Sequence, residues 1–113
     1  KLPGYLELDY WNVSVLQTLR SLLDTLQSGE TATITGAENW SQTGLTSAYA
    51  LLTPQQQAQL QVLPEASIDA KYVLSNQTYA TLGYWTPEPA MQTVAQTRSF
   101  GWTLSTIYAR KSK

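Results

Sequence analysis

The segment SVLQTLRSLLDTLQSG, residues 14–29, decides how the rest of the chain is read. Val15, Leu16, Leu19, Leu22, Leu23 and Leu26 fall at the spacing that gathers side chains into one apolar stripe of a helix. Gln17, Arg20, Ser21, Asp24, Thr25 and Ser28 take the other side. Ser14 and Gln17 match a capping box, and Gly29 stands where a left-handed C-cap belongs. The spacing predicts an amphipathic helix over 14–28. Such a helix needs an apolar surface to cover, and the flanking sequence supplies candidates for it.

Upstream, YLELDYW (5–11) alternates Tyr5, Glu7, Asp9 and Trp11 against Leu6, Leu8 and Tyr10, the period of a short strand. Downstream, ETATITG (30–36) sets Ala32 and Ile34 against three threonines, as a half-buried strand does. AENWSQTG (37–44) reads as a loop closing on Gly44, and LTSAYALL (45–52) fits helix or strand equally. Thr53 and Pro54 suit the N-cap and first residue of a short helix that ends before Pro64.

The second half reads as sheet. SIDAKYVL (67–74) puts Ile68, Ala70, Tyr72 and Leu74 on one face, SNQT (75–78) turns, and TYATLGYW (78–85) returns as the second arm of a hairpin. AMQTVAQ (90–96) fits a third strand or a turn of helix opened by Pro89. SFGWTLSTIYAR (99–110) is the longest strand, with Phe100, Trp102, Leu104, Thr106 and Tyr108 on its apolar face and Gly101, Thr103, Ser105, Ile107 and Ala109 opposite. The expected architecture is a single α+β domain over residues 1–113. In it the amphipathic helix packs on a mainly antiparallel sheet of about four to five strands, whose other face carries small polar residues, beside a second short helix.

Composition narrows the function classes. The chain has 113 residues, 42% hydrophobic and only 13% charged, roughly half the usual charged share. Its net charge is −1, and three of its seven cations, Arg110, Lys111 and Lys113, cluster at the end as a solvated basic tail. That balance argues against a general nucleic-acid binder, which needs a clustered basic face. With no cysteine and no histidine, disulfides, thiol nucleophiles, thiolate metal sites, histidine triads and the common zinc sites are excluded. No metal or cofactor is expected. No apolar run approaches the ~20 residues of a membrane-spanning helix. Opening on Lys1 rather than Met suits a mature or trimmed form. A surface rich in Thr, Ser and Gln suits an extracytoplasmic or particle-associated protein.

Catalytic options are few. Glu7 and Asp9 share a face of the first predicted strand, where a solvent-exposed face is the simpler reading and a carboxylate pair for hydrolysis the sharper one, with Glu38 as a further partner. Lys71 falls on the polar side of its strand, which does not suit a sequestered Ser–Lys dyad. The six glycines are scattered singly, so no phosphate-cradling loop is present. The expectation is a non-enzymatic protein.

Aromatic residues carry more. Four tryptophans and seven tyrosines give the chain rigid amphipathic contact area, the currency of binding hot spots and of cores alike. Trp102 is expected in the core, Trp11 against the helix, and Tyr72 opposite Tyr79. Trp40 and Trp85 differ, because both fall in or beside predicted loops. In YWTPEP (84–89) Thr86 and Glu88 each precede a proline and are held extended, so the segment is a stiff spacer: a strand terminator first, a recognition loop second. The candidate binding residues are therefore Trp40, Tyr84 and Trp85, with Glu38 and Glu88 as rim charges. The function these suggest is protein–protein binding or self-association, as a module or subunit of a larger complex. A small-ligand or glycan-binding domain that stacks its ligand on the loop aromatics is the alternative. All three asparagines, Asn12, Asn39 and Asn76, lie in Asn-x-Ser/Thr sequons, which suits glycosylation as well as helix-start, loop and turn positions.

Overall fold

The computed structural model describes residues 4–76, 87–99 and 102–110. Among them are three helices, α1 (Gly4–Thr25), α2 (Asn39–Tyr49) and α3 (Pro54–Ala58). Five strands form one sheet: β1 (Ala32–Gly36), β2 (Leu60–Val62), β3 (Tyr72–Asn76), β4 (Gln92–Ser99) and β5 (Trp102–Ala109). Their order is β2-β1-β3-β5-β4. β1 runs parallel to both β2 and β3, while β5 is antiparallel to both β3 and β4. The antiparallel ladders are the longer ones, so the α+β class with a mainly antiparallel sheet holds.

The decisive stripe does what its spacing demands. Val15, Leu19, Leu22 and Leu23 are buried with Ile34 of β1, Leu45 and Ala48 of α2, Leu74 of β3 and Ile107 of β5 in one core. Register places Ile34 beside Tyr72, and Leu74 beside Ile107, on this helix-covered face. Gly29, with φ of 84°, occupies the left-handed region in the turn that follows α1.

Several expectations need correction. The strand predicted over 5–11 is the first part of α1, which starts at Gly4; Glu7 and Asp9 therefore sit on a helix and do not share a strand face. Positions 8, 11 and 15 already follow helical spacing in the sequence, and the long stripe behind them wins over a short alternation. Ser14 is accordingly no N-cap but a buried residue inside α1, 3.3 Å from Ser105 through their hydroxyls.

The loop predicted over 37–44 is the start of α2. Its N-cap is Glu38, a residue outside the favoured set, so the sequence signal for a helix start was weak. The segment expected to continue the short helix to Pro64 instead ends α3 at Ala58 and forms β2. The Thr53 cap is as predicted, with Thr53 and Gln56 closing a capping box and Pro54 opening the helix.

The faces of β5 are the reverse of the expected ones. α1 covers Ser105 and Ile107, the side read as polar and small. Small side chains let a helix approach closely, and Thr18 of α1 takes the Ser105 hydroxyl at 2.7 Å. The opposite face carries small polar groups as foreseen, yet Thr35, Val73, Ser75 and Thr106 there are at most 1% exposed, so both sides of the sheet centre are buried. Among the described residues, Ser75 Oγ is the buried side-chain oxygen with no hydrogen-bond partner. Tyr108 shares this face, and burial raises its phenol pKa while a hydrogen bond with Thr106 pulls it back.

The neighbours of β3 are β1 and β5, and the return strand predicted over 78–85 lies outside the described residues, as do Trp11 packing, Tyr79 and the side chain of Trp102. The segment 90–96 resolves as strand, β4. Arg110, read as part of a solvated tail, is instead tied down: its guanidinium donates to the Ser67 and Ala70 carbonyls, both at 2.7 Å.

Candidate functional site at the carboxyl end of β1

An open sheet with parallel strands offers a natural crevice where neighbouring strands send their connections to opposite sides, at the strands' carboxyl ends. Here that place is the β1–β3 boundary. β1 leads through α2 and α3 to β2 on one side, whereas β3 lies on the other side and leads on toward the β4–β5 hairpin. Gly36 ends β1 there, and the reason for glycine is direct. A Cβ on Gly36 would come within 2.3 Å of the Gln42 backbone nitrogen, so α2 can only start this close to the sheet above a bare Cα. Gln42 then ties the corner together. Its Oε1 accepts from the Gly36 amide at 2.7 Å, and its Nε2 donates to the Leu63 carbonyl at 2.9 Å.

Glu38 caps α2. Its two carboxylate oxygens accept from the Trp40 amide at 3.0 Å and the Ser41 amide at 3.1 Å, and the Ser41 hydroxyl also donates to it. A negative charge at a helix start is favourable in itself. The buried Ser41 hydroxyl in turn accepts from the Asn76 amide at the end of β3, at 2.9 Å, so the cap bridges the two parallel strands. With both oxygens engaged, Glu38 is a fixed acceptor that sets the first turn of α2. What that turn presents is Trp40, 51% exposed.

The predicted site residues thus fall in different places. Glu38 and Trp40 come together, as cap and first turn of one helix. Glu88 does not join them. Its backbone carbonyl accepts from the Met91 amide in the turn before β4, and β4 runs parallel to β1, so that turn lies at the opposite end of the sheet. Tyr84 and Trp85 lie outside the described residues. Sequence reasoning missed Gly36, Ser41, Gln42 and Asn76. The recoverable signal was glycine at a strand end, followed by an acid and a serine three residues later. Asn76, for its part, is only 7% exposed, which leaves its amide no room for a glycan, whereas Asn39 is exposed.

Elsewhere the surface offers less. A cleft of about 330 Å³ between the end of α1 and α3 is lined by Leu26, Gly29, Gln55 and Gln59, but Gln59 spends its amide on the Gln27 and Glu30 carbonyls. Among the described residues no group of three His, Cys, Asp or Glu side chains could hold a metal ion, and no helix is long and apolar enough to cross a membrane. No family model matches the chain, and neither a curated protein nor a solved structure matches it.

Proposed function

We propose that the chain is a non-enzymatic protein-binding or assembly module that meets its partner through the α2 face headed by Trp40. The observation that carries this reading is the half-exposed Trp40 on a helix turn locked by Glu38 and Ser41. A large aromatic held in place loses little conformational freedom on binding, which is what makes such residues hot spots.

The surroundings support it. From Asn39 to Pro64 the sequence has no charged residue at all. On α2 and just past it, Trp40, Thr43, Ser47 and Leu51 are exposed at spacings that keep them on one side of the helix. Interface centres are depleted in charge because desolvating a charge costs far more than desolvating a hydroxyl. Glu38 stands at the end of this face as its rim charge.

The test is native mass spectrometry of the protein isolated gently from its own source, as wild type and as Trp40→Ala. The expected result is a discrete complex, with a second copy or another polypeptide, that the variant loses by about tenfold or more in affinity, a hot-spot loss. A wild-type protein found only as a bare monomer overturns the reading, and so does a complex indifferent to Trp40. A monomer carrying a small extra mass would turn it toward the ligand-binding alternative.

A further inference from the structure

The exposed side of α2 carries a large apolar residue at each end and small ones between them. Trp40, 51% exposed, stands in the first turn, and Leu51, 64% exposed, stands just past the last. At about 1.5 Å per residue the two lie about 17 Å apart along the helix axis. Thr43 and Ser47, both exposed, fall between them on the same side. Both ends are held in place. The Glu38 cap fixes the Trp40 turn. At the other end the Ala50 amide donates to the Thr46 carbonyl at 3.2 Å and the Leu51 amide to the Ala48 carbonyl at 3.0 Å, which carries the helical path on to Leu51. The Tyr49 hydroxyl donates to the Gln57 carbonyl at 3.1 Å, and the Gln57 side-chain amide donates to the Tyr49 carbonyl at 2.9 Å, so this end is pinned to α3.

Such a face is complementary to itself turned end for end. When two α2 helices lie antiparallel about a two-fold axis at mid-helix, Trp40 of each is level with Leu51 of the other. Thr43 and Ser47 then meet beside the axis, where small side chains let the helices approach. Charge does not oppose the pairing, because the sequence has no charged residue from Asn39 to Pro64. The two Glu38 carboxylates fall at opposite ends of the contact, about 20 Å apart and well beyond the screening length of about 8 Å. A different polypeptide is commonly selected by complementary charge, for which this face offers no counterpart. Interfaces between identical subunits do without it, being the more apolar class.

We infer that the partner met by the α2 face is a second copy of this chain, in a two-fold dimer that packs the two α2 helices antiparallel with each Trp40 against the other's Leu51. The inference rests on the reading of Trp40 as the head of a binding surface, and it names the occupant of that surface. The two-fold axis repeats every contact, so a single substitution is felt twice in the dimer. Anchors already fixed by the Glu38 cap and by the α2–α3 bonds spare the entropy of ordering them on association.

The test has two parts, both on the full chain. Sedimentation velocity over a concentration series is expected to show a species of twice 12.5 kDa. Trp40→Ala and Leu51→Ala should each weaken it by about tenfold or more, as truncated hot spots do. The geometry is read by cysteine pairing, for which the chain offers a clean background because it has no cysteine of its own. A mixture of Thr43→Cys and Ser47→Cys proteins under mild oxidation should join mainly as the mixed 43–47 disulfide, ahead of the 43–43 and 47–47 pairs. A chain that stays monomeric, a dimer indifferent to Trp40 or to Leu51, or like pairs that form as readily as the mixed one each overturns the inference. Native mass spectrometry of the protein from its own source separates the two readings. A Trp40-dependent complex with a different polypeptide and no second copy removes only this one, whereas the absence of any Trp40-dependent complex removes both.

Discussion

The buried side of α1 is built from two materials. Toward α2 and β1 it presents Val15, Leu19, Leu22 and Leu23, which join the central core. Toward the β4–β5 hairpin it presents Ser14 and Thr18. There the Thr18 hydroxyl lies 2.8 Å from the Ser14 carbonyl, 2.7 Å from Ser105 Oγ and 2.6 Å from Thr97 Oγ1, and Thr97 donates to the same Ser14 carbonyl at 3.1 Å. The apolar half is non-directional and gains by area. The hydroxyl half gains little net free energy but accepts one rotation and height of the helix, because a misplaced buried hydroxyl is expensive. One half supplies stability; the other fixes register.

The largest test of that division is Leu19→Ala, a fully buried side chain at the centre of the apolar half. It should cost about 2–5 kcal/mol, read from equilibrium denaturation in urea. If it costs less than Thr18→Val, the division is wrong. Thr18→Val removes the shared hydroxyl and takes one partner each from Ser105 and Thr97, which keep Ser14, for about 1–3 kcal/mol. Adding Ser105→Ala and Thr97→Val should then cost clearly less than the sum of the single changes, because the three hydroxyls share the same hydrogen bonds and each bond is lost only once. Strict additivity would show the hydroxyls act independently.

The smallest effect sharpens the picture on the other side of β5. Burial raises the Tyr108 pKa, so the folded state favours the neutral phenol over the phenolate more than the unfolded chain does. This contribution is complete below about pH 10 and is lost as pH rises through the folded value. Tyr108→Phe should therefore retain more stability above about pH 10 than wild type relative to pH 7, measured by urea titration at both. Equal losses would place the phenol in an environment no less polar than water.

The same contrast explains what the sequence reveals. Apolar periodicity announces itself, and the stripe at Val15, Leu19, Leu22 and Leu23, the β1 alternation and the helix start at Thr53 and Pro54 were all legible. Hydroxyl seams do not announce themselves, because Ser105 and Thr18 look like surface residues until their partners are known. That is why the faces of β5 were read in reverse. The α2 start was hidden by an unusual cap, and β2 by its three-residue length. Of the site, Trp40 and Glu38 were found as residue types, but their joining into one helix turn depends on Gly36 and Asn76, brought together by pairing between strands distant in sequence.

One topological feature has a bearing on how the molecule comes into being. The last strand, β5, lies between β3 and β4 rather than at an edge. Until it is present, β4 lacks the one neighbour it has among the described residues and Ser14 and Thr18 have no Ser105 to meet, a separation of 91 residues in the case of Ser14. At ribosomal speeds of 5–20 residues per second, α1 would wait roughly 5–18 s for its polar partner. During that interval the hydroxyl half of the helix stays wet, and the chain is kept from committing to its final register before the strand that defines it arrives.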